Sequence, residues 1–384
     1  MNVTLVAHDV GAVGGMEGQL EALVLGLRRS GHQVTVIART CELPPEAGIS
    51  FRRVPGPRRP FLIAYPWFML AGSLALWRWR RGVVQATGAI VLGRRLDVIA
   101  VHYLHHVGGV TPSRSTRLYR WHVKAAGALK RLAERLSYRA SRAGAFVCVS
   151  DGLAAELGAH FPELGSRIVT IHNGIDTERF APGNRRAEAD ALRARLGLAP
   201  GRLLAVFVGS EWERKGLPAA IRALAQAPEW DLLVAGAGDE QGYRELARTL
   251  GVERAVHWLG VARDVQPVYE LADALVMPSR YETFSLVTFE AAACGLPIVA
   301  SPVNGVRELI RDGENGFLIA PEPGAIAQRL GVLATDPELR ARMGAEARRS
   351  VLAFHSAEMV ARYARLYMQL VAEPDAARPV ALAA

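Results

Sequence analysis

Residues 274–301 read ALVMPSRYETFSLVTFEAAACGLPIVAS, and this stretch carries the strongest fold signal in the chain. The apolar run at residues 274–277 is short enough for a buried strand, and Pro278 ends it. Residues 285–294 favour a helix, which a glycine and a proline then terminate. Residues 298–300 predict the next strand. The stretch is therefore one strand–loop–helix–strand unit of a parallel sheet, in which ligands bind at the loop.

Two carboxylates stand in this unit, Glu282 in the loop and Glu290 in the helix. The first backbone N–H groups of the helix, near Phe284, Ser285 and Leu286, have no intrahelical partner and suit a diphosphate. A ligand lying along the helix start would bring a sugar to Glu282 and a ribose to Glu290, because a carboxylate accepts hydroxyl hydrogen bonds. For either glutamate alone, an ordinary loop residue or a solvated helix residue is the alternative.

The whole string resembles the donor-site signature of the retaining glycosyltransferases of family 4 (glycosyl transferases group 1), which have the GT-B fold. The residues in register with that signature are Pro278, Ser279, Glu282, Phe284, Leu286, Val287, Glu290, Ala291, Ala293, Gly295 and Pro297. The chain departs from it at Thr283 and Ser285, where the family usually has glycine. Those glycines let the backbone approach phosphates closely; Ser285 is small enough to permit this, whereas Thr283 is bulkier.

The resemblance implies an α/β protein with two Rossmann-like domains facing an interdomain cleft, and a C-terminal helix that crosses back to the first domain. A chain of 384 residues is long enough for two such domains. The polar, alanine-rich stretch from Ala181 to Pro200 marks the boundary. We therefore predict an acceptor-side domain at 1–180, a nucleotide-sugar-binding domain at 181–360, and a returning helix and tail at 361–384.

The second predicted domain opens with an apolar strand followed by Gly209, and then by Arg214 and Lys215. An arginine fork and a lysine point charge together can neutralise a diphosphate. The resemblance implies that this pair and Gly209 bind the donor phosphates. It also implies that the backbone at Val261 contacts the nucleotide base.

In the first predicted domain, Gly14 and Gly15 follow the first strand without the spacing of a dinucleotide-binding fingerprint, so no NAD site is inferred. The resemblance implies that this loop reaches the donor phosphate or the acceptor, and that His102 lies beside the donor sugar. His102, His105 and His106 also suggest a metal. Because His102 and His105 lack a carboxylate partner nearby in sequence, we predict no metal site.

The charge of +9 is unevenly distributed. Lysine and arginine outnumber aspartate and glutamate by 23 to 12 in residues 1–180 and are slightly outnumbered elsewhere. An anionic partner is indicated, and no nucleic-acid-binding module is present to make that partner DNA or RNA. The segment 114–142 has nine basic residues, one acid (Glu134) and apolar residues at helical spacing. It predicts a basic amphipathic helix, either with a solvated face or docked on an anionic membrane.

The run Phe61–Trp77 is uncharged, flanked by arginines and interrupted by Pro66, which favours a buried or surface-docked helix over a membrane span. Three scattered cysteines, Cys41, Cys148 and Cys294, indicate a reduced compartment. No secretory signal opens the chain. These features predict a cytoplasmic protein, peripheral on the inner face of the cell membrane.

The function implied by the resemblance is transfer of a sugar, with retention, from a UDP- or GDP-sugar to a hydroxyl of a lipid-linked or cell-envelope glycan. Arg214 and Lys215 would stabilise the leaving diphosphate without a metal or cofactor. Glu282 would hold the sugar, Glu290 the ribose, and His102 would orient the sugar or acceptor. The alternatives are a GT-B nucleotide-sugar epimerase, which needs no acceptor, and a non-catalytic nucleotide-sugar-binding protein.

Overall fold

The computed structural model describes residues 1–11, 14–44, 47–92, 96–107, 117–141 and 143–372. The chain divides into two compact units. The first runs from Met1 to Gly174 and resumes at Ser356, and the second runs from Ile175 to His355. Arg114 and Arg142 of the predicted basic segment lie outside the described residues.

The first unit alternates strands and helices, as expected of an α/β domain. Its strands are β1 (Asn2–Val6), β2 (Asp9–Val10), β3 (Gln33–Ala38), β4 (Thr40–Cys41), β5 (Ser50–Arg53), β6 (Val83–Thr87), β7 (Val98–Val101), β8 (Ala145–Cys148) and β9 (Ile168–Thr170). Within the described residues, seven of them form a parallel sheet in the order β5-β3-β1-β6-β7-β8-β9, and β2 pairs with β4. Each strand of the large sheet delivers its carboxyl end to the same edge.

The helices between these strands are α1 (Gly15–Arg29), α2 (Phe61–Trp79), α3 (Arg117–Ala140) and α4 (Asp151–His160), with a 3-10 segment at Pro162–Arg167. Helices α2 and α3 pack against each other. There the Lys130 ammonium lies 4.7 Å from the centre of the Phe61 ring. Among the described residues, α2 alone is long and apolar enough, by length and composition, to cross a membrane.

The second unit contains β10 (Leu203–Val208), β11 (Trp230–Ala235), β12 (Val256–Gly260), β13 (Ala274–Met277), β14 (Ile298–Ala300) and β15 (Gly316–Leu318). They form a parallel sheet in the order β12-β11-β10-β13-β14-β15. The strands predicted at residues 274–277 and 298–300 are confirmed. Every residue of β11, β13 and β14 is buried, because a parallel sheet is covered on both faces.

The helices of the second unit are α5 (Arg186–Arg195), α6 (Trp212–Lys215), α7 (Leu217–Leu224), α8 (Glu240–Thr249), α9 (Gln266–Leu271), α10 (Leu286–Ala293), α11 (Val306–Leu309), α12 (Pro323–Thr335) and α13 (Pro337–Val351). Two 3-10 segments lie at Glu253–Ala255 and Leu352–Phe354. Helix α5 occupies much of the stretch from Ala181 to Pro200 and packs on α9. It buries only Ala189 and Leu192, so its sequence resembles a polar linker.

The last helix, α14 (Ser356–Ala372), belongs to the first unit. Its Tyr363, Leu366 and Tyr367 share one core with the buried leucines of α1. The Tyr367 hydroxyl donates a 2.6 Å hydrogen bond to Oε1 of Gln85 in β6, and both side chains are buried. The two parallel sheets confirm the predicted fold class, and α14 supplies its returning helix.

We expect Tyr367→Phe to destabilise the first unit by about 1–3 kcal/mol, because Gln85 then keeps a buried oxygen without its donor. Gln85→Met combined with Tyr367→Phe removes both partners and should recover most of that loss. Hydrogen exchange at the amides of β6 and α14 measures the opening free energy. Tyr243→Phe, which removes an exposed hydroxyl bonded to Glu213, is the control. Equal protection in Tyr367→Phe and wild type would contradict the expectation.

Candidate active site

The residues predicted to bind the donor phosphates lie at the carboxyl ends of β10 and β13. These strands are neighbours at the point where the strand order reverses, which is where open α/β sheets bind ligands. Gly209 follows β10 and Pro278 follows β13. The backbone N–H of Arg280 donates to the carbonyl of Arg214 at 2.9 Å, so the two loops are joined directly.

Lys215 lies across Gly209, and this contact requires glycine. Gly209 has a φ of 138°, and a Cβ there would stand 2.7 Å from Cδ and Cε of Lys215. Gly216 has a φ of 82°, and a Cβ there would stand 2.1 Å from the carbonyl oxygen of Pro278. At Gly209 the close neighbour is Lys215 of the same loop, and at Gly216 it is the loop after β13, so neither position leaves room for a side chain.

Glu282 is the anionic centre of this site. Its Oε1 accepts hydrogen bonds from Nζ of Lys215 at 2.8 Å and from Oγ of Ser279 at 3.1 Å. Its Oε2 lies 3.3 Å from Nη1 of Arg214. Burial alone raises the pKa of Glu282, but Lys215 and then Arg214 outweigh it and hold the pKa below its usual value. Glu282, only 8% exposed, is therefore a carboxylate at neutral pH.

Arg214 is fixed on two sides. Its Nε and Nη2 donate to Oε2 of Glu211 at 3.0 and 2.8 Å, and its Nη1 also donates to the carbonyl of Tyr281. Burial lowers the pKa of Arg214, whereas Glu282 and Glu211 raise it above its usual value. The guanidinium therefore stays charged beside Lys215. Sequence reasoning did not find Glu211, an i−3 partner that the motif does not contain.

The amino end of α10 lies next to this cluster in the chain. Ser285 precedes the helix, and its hydroxyl lies 2.8 Å from the hydroxyl of Thr288. The Ser285 side chain makes no capping hydrogen bond to the first amides of α10. Phe284 is buried and stacks on Phe289 with ring centres 4.2 Å apart. Packing thus holds the backbone from Phe284 to Leu286 at the amino end of α10, and the amino end of a helix is the end that attracts anions.

Glu290 projects from α10 toward α9. Its Oε2 accepts a 2.9 Å hydrogen bond from the hydroxyl of Tyr269, which is fully buried. Burial raises the pKa of Glu290, against the lowering effects of Tyr269 and Arg179. Burial and the Glu290 charge raise the pKa of Tyr269 well above its usual value, so its hydroxyl remains a donor. Tyr269 thus fixes the orientation of the Glu290 carboxylate.

Val261 follows β12 and is 75% exposed. Gly260 before it has a φ of 66°, and the Gly260 carbonyl accepts a 2.7 Å hydrogen bond from the N–H of Gly236. Gly236 itself lies against Gly209, since a Cβ on Gly236 would stand 2.0 Å from the Gly209 carbonyl oxygen. A chain of backbone contacts therefore links the turn at Val261 to Gly209 in the loop after β10.

The remaining predicted site residues belong to the first unit. Gly14 precedes α1 with a φ of 106°, and Gly15 is the first residue of that helix. His102 follows β7 directly, at the carboxyl edge of the sheet. Burial lowers the pKa of His102 to about 4, so its imidazole is neutral at pH 7.

His105 and His106 have a carboxylate partner that the sequence did not reveal. Oε1 of Glu134 lies 2.7 Å from Nδ1 of His105 and accepts a 2.9 Å hydrogen bond from the His105 backbone N–H. Oε2 of Glu134 lies 2.7 Å from Nδ1 of His106. Glu134 is 2% exposed and comes from α3. Burial raises its pKa, but the hydrogen bonds from His105 and His106 outweigh burial and lower it. The sequence analysis considered only carboxylates nearby in the chain, and the partner of His105 lies 29 residues further on.

Two family models match the chain in succession. Glycosyltransferase Family 4 matches residues 13–179, and glycosyl transferases group 1 matches residues 188–350. The chain belongs to the family 4, group 1 glycosyltransferases. The second model includes Arg214, Lys215, Glu282 and Glu290, so the residues of the candidate site lie within the family region.

This glycosyltransferase is similar to several curated proteins. A D-inositol 3-phosphate glycosyltransferase of Streptomyces scabiei is 35% identical over 211 residues, which is 50% of this chain and 47% of the relative. An uncharacterised glycosyltransferase of Methanocaldococcus jannaschii is 28% identical over 367 residues, 91% of this chain and 93% of that protein. The chain thus spans about half the length of the first curated relatives it matches.

Solved structures share the fold of this glycosyltransferase. WaaG, a glycosyltransferase involved in lipopolysaccharide biosynthesis, matches with a TM-score of 0.78 at 22% identity, over 95% of this chain and 99% of WaaG. HepE of Anabaena, solved in complex with UDP, matches with a TM-score of 0.71 at 21% identity, over 96% of this chain and 100% of HepE.

We expect Glu134→Gln to destabilise the first unit of this glycosyltransferase by about 1.5–3 kcal/mol at pH 7, because hydrogen bonds to a charged group are lost. The folded state lowers the pKa of Glu134, so its contribution is complete above the unfolded value near 4.3. It disappears as the pH falls through the folded value. The difference between the variant and wild type should therefore begin to shrink as the pH falls below about 4.3 and should vanish below the folded pKa.

Urea unfolding at stepwise lower pH measures this difference. Glu163→Gln is the matched control, because Glu163 pairs with Arg139 at the surface and such pairs contribute little. A difference that stays constant from pH 7 to pH 3.5 would show that the Glu134 charge does not stabilise the fold.

Proposed function

We propose that this protein is a retaining glycosyltransferase that moves a sugar from a UDP- or GDP-sugar to an acceptor hydroxyl. The observation that carries the proposal is the cluster of Lys215, Arg214 and Glu282 at the carboxyl ends of β10 and β13, followed by the amino end of α10. It combines two fixed cations, an ionised carboxylate and oriented amides. Those are the groups that a departing nucleoside diphosphate and a sugar need.

The diphosphate gains negative charge as the bond to the sugar breaks. Arg214 and Lys215 are already held by Glu211 and Glu282, so they require little reorganisation when that charge develops. The amides at Phe284–Leu286 add the positive end of the α10 dipole. These groups supply the field that a divalent cation supplies in other transferases, and we propose that the reaction needs neither metal nor cofactor.

The two glutamates have different surroundings, which supports different roles. Glu282 is ionised between two cations, so it would lie next to the donor phosphates, which suits it to hold sugar hydroxyls. Glu290 is held by Tyr269 further along α10, which suits the ribose hydroxyls of the nucleotide. The base would then contact the exposed turn at Val261, which is linked by backbone to Gly209.

The first unit would supply the acceptor side. His102, neutral at pH 7, can donate one hydrogen bond and accept another, which suits a group that orients the reacting sugar or acceptor hydroxyl. The loop before α1, with Gly14 and Gly15, would approach the donor phosphate or the acceptor. The similarity to HepE, solved with UDP and with UDP-glucose, supports a nucleotide-sugar donor.

We propose a lipid-linked or cell-envelope glycan as the acceptor, used by a cytoplasmic enzyme that is peripheral on the inner face of the membrane. The support is the exposed face of α3, where the charged residues are Arg120, Lys124, Arg131, Arg135 and Arg139. The one acid of this helix, Glu134, is turned inward to His105 and His106. Anionic lipid attracts such a face. The similarity to WaaG, involved in lipopolysaccharide biosynthesis, agrees with this acceptor class.

The test is an assay with UDP- and GDP-sugars, with and without a membrane lipid extract as acceptor source. Transfer that depends on the extract, with an unchanged anomeric configuration by NMR, is the expected result. Conversion of the donor to another sugar without acceptor would make the protein an epimerase. Tight nucleotide binding without donor turnover would make it a binding protein. A thermal-shift screen of UDP and GDP identifies the base, because a bound ligand raises stability.

We expect Lys215→Ala and Glu290→Gln to change different kinetic constants. Lys215 faces charge that grows in the transition state, so its loss should lower kcat by roughly 10²–10³. Lys215→Arg should restore this only in part, because a planar fork replaces a point charge. Glu290 would hold hydroxyls whose charge does not change, so Glu290→Gln should raise the donor KM by roughly 10-fold and leave kcat nearer normal.

Full donor-saturation curves separate these effects. Arg280→Ala is the matched control, because Arg280 is an exposed cation in the neighbouring loop after β13 with only a 3.8 Å approach to Glu213. Glutamine at position 290 keeps an acceptor for the buried Tyr269 hydroxyl, so the variant is expected to fold. A collapse of kcat with unchanged KM in Glu290→Gln would place the chemistry at Glu290 and overturn the assignment of the two glutamates.

A further inference from the structure

Helix α2 has one buried face and one exposed face, and both are apolar. The buried face consists of Ala64, Tyr65, Phe68, Met69, Gly72 and Leu76. The exposed face, here called the α2 stripe, consists of Ile63, Trp67, Leu70, Leu74 and Trp77, whose exposed fractions run from 49% to 77%. Their spacing of four, three, four and three residues puts them on one side of a helix. A solvated helix would carry polar residues there.

The buried face excludes a membrane-spanning position for α2 in the folded unit. The Tyr65 hydroxyl donates a 2.6 Å hydrogen bond to the carbonyl of Ala89, and the Phe68 ring lies 4.4 Å from the ring of His8. These contacts bind α2 lengthwise to the first unit. The helix, about 28 Å long at 1.5 Å per residue, therefore lies along the surface and presents only its stripe outward.

The charges around the stripe are positive. In sequence, Arg58 and Arg59 precede α2, Arg78 lies in its last turn and Arg80 and Arg81 follow it, and no acid occurs from Arg58 to Arg81. Trp79 at the end of the helix lies beneath the Arg52 and Arg78 guanidinium groups, 4.4 and 5.0 Å from its ring centre.

The basic helix α3 lies on the other side of α2, where its Lys130 contacts the Phe61 ring. Helix α3 itself exposes Trp121, Leu132 and Leu136 among its basic residues.

We propose that the α2 stripe inserts into the interfacial layer of an anionic lipid bilayer, with the surrounding arginines at the lipid headgroups. Tryptophan and leucine on one side of a helix that lies in the membrane plane, with arginine beside them, fit the boundary between headgroups and acyl chains. A second copy of the chain fits poorly, because a two-fold interface would bring the same positive rim against itself. The inference rests on the proposed function in one respect, that the acceptor is at a membrane.

The stripe and the α3 face would contribute to binding in ways that salt separates. Attraction between arginines and anionic lipid weakens as the ionic strength rises. Burial of leucine and tryptophan in the acyl boundary does not. Binding to anionic vesicles should therefore retain a salt-resistant part that belongs to the α2 stripe.

The test uses the full chain with vesicles of phosphatidylcholine alone or with about one third phosphatidylglycerol, at low and high salt. The stripe variant is Leu70→Gln, Leu74→Gln and Trp77→Gln, which are exposed positions that avoid the Trp67 hydrogen bond to Pro55. The matched control is Leu352→Gln, Met368→Gln and Val371→Gln, which removes exposed apolar groups elsewhere. Circular dichroism and thermal unfolding verify that each variant is folded.

We expect wild type and the control to bind anionic vesicles, and the stripe variant to lose at least 10-fold in lipid affinity, including the salt-resistant part. Arg131→Gln with Arg135→Gln should lose only the salt-sensitive part. Brominated lipids should quench wild-type tryptophan fluorescence, and Trp77→Phe should reduce that quenching.

Equal lipid affinity in the stripe variant and wild type would overturn the proposal. So would a dimer in solution that the stripe variant dissociates while lipid binding stays unchanged, since the stripe would then be a protein interface. Donor turnover with a water-soluble acceptor, measured on the same variants, keeps the two proposals apart. Absence of donor turnover in wild type with both the lipid extract and the water-soluble acceptor would overturn the proposed function alone. Turnover of the water-soluble acceptor that persists in the stripe variant locates the defect in membrane binding.

Discussion

The ion pair between Lys215 and Glu282 is the constraint on which the second unit's site depends. Both side chains are largely removed from water, and their charged atoms are 2.8 Å apart. An ion in such a place without its partner costs several kcal/mol, so the loops after β10 and β13 must keep their relative position. The glycines serve this contact: Gly209 lets the lysine cross the backbone, and Gly216 lets the loop turn against Pro278.

In the proposed function, the same pairing prepares the site for the anionic diphosphate. Glu282 balances one of its two cations inside the site, whereas Glu211, which pairs with Arg214, is 63% exposed, so solvent screens its compensation of the guanidinium. A nucleoside diphosphate would share these cations with Glu282. The carboxylate oxygens of Glu282 would then be able to accept hydrogen bonds from sugar hydroxyls. The groups need little movement to reach this state, which is the condition for electrostatic stabilisation of a leaving group. The parallel sheet supports the arrangement, because its buried faces leave the carboxyl edge as the place for polar residues.

The first unit combines a basic exterior with one inward acid. The Glu134 side chain crosses from α3 to His105 and His106, three and four residues after His102, so it ties the basic helix to the loop that begins at the sheet edge. This removes the negative charge of Glu134 from the exposed face of α3. Helix α2 beside it is apolar on both sides, and burial of one side makes the other an outward surface. The folded structure thus places the basic residues of α3 and the apolar surface of α2 on the outside of the first unit. The amino-acid composition alone would not give this arrangement.

The sequence by itself determined the strand–loop–helix–strand unit at residues 274–301 and the place of Glu282 and Glu290 in it. Apolar runs, glycine, proline and helix spacing act over a few residues, and such signals survive without tertiary contacts. Only the tertiary structure decided which residues pair. Tyr269 meets Glu290 across 21 residues, Glu134 meets His105 across 29 and Tyr367 meets Gln85 across 282. The sequence also could not reveal which face of α2 is buried, because apolar residues surround the whole helix. Tertiary packing alone determines which of them are buried and which are exposed.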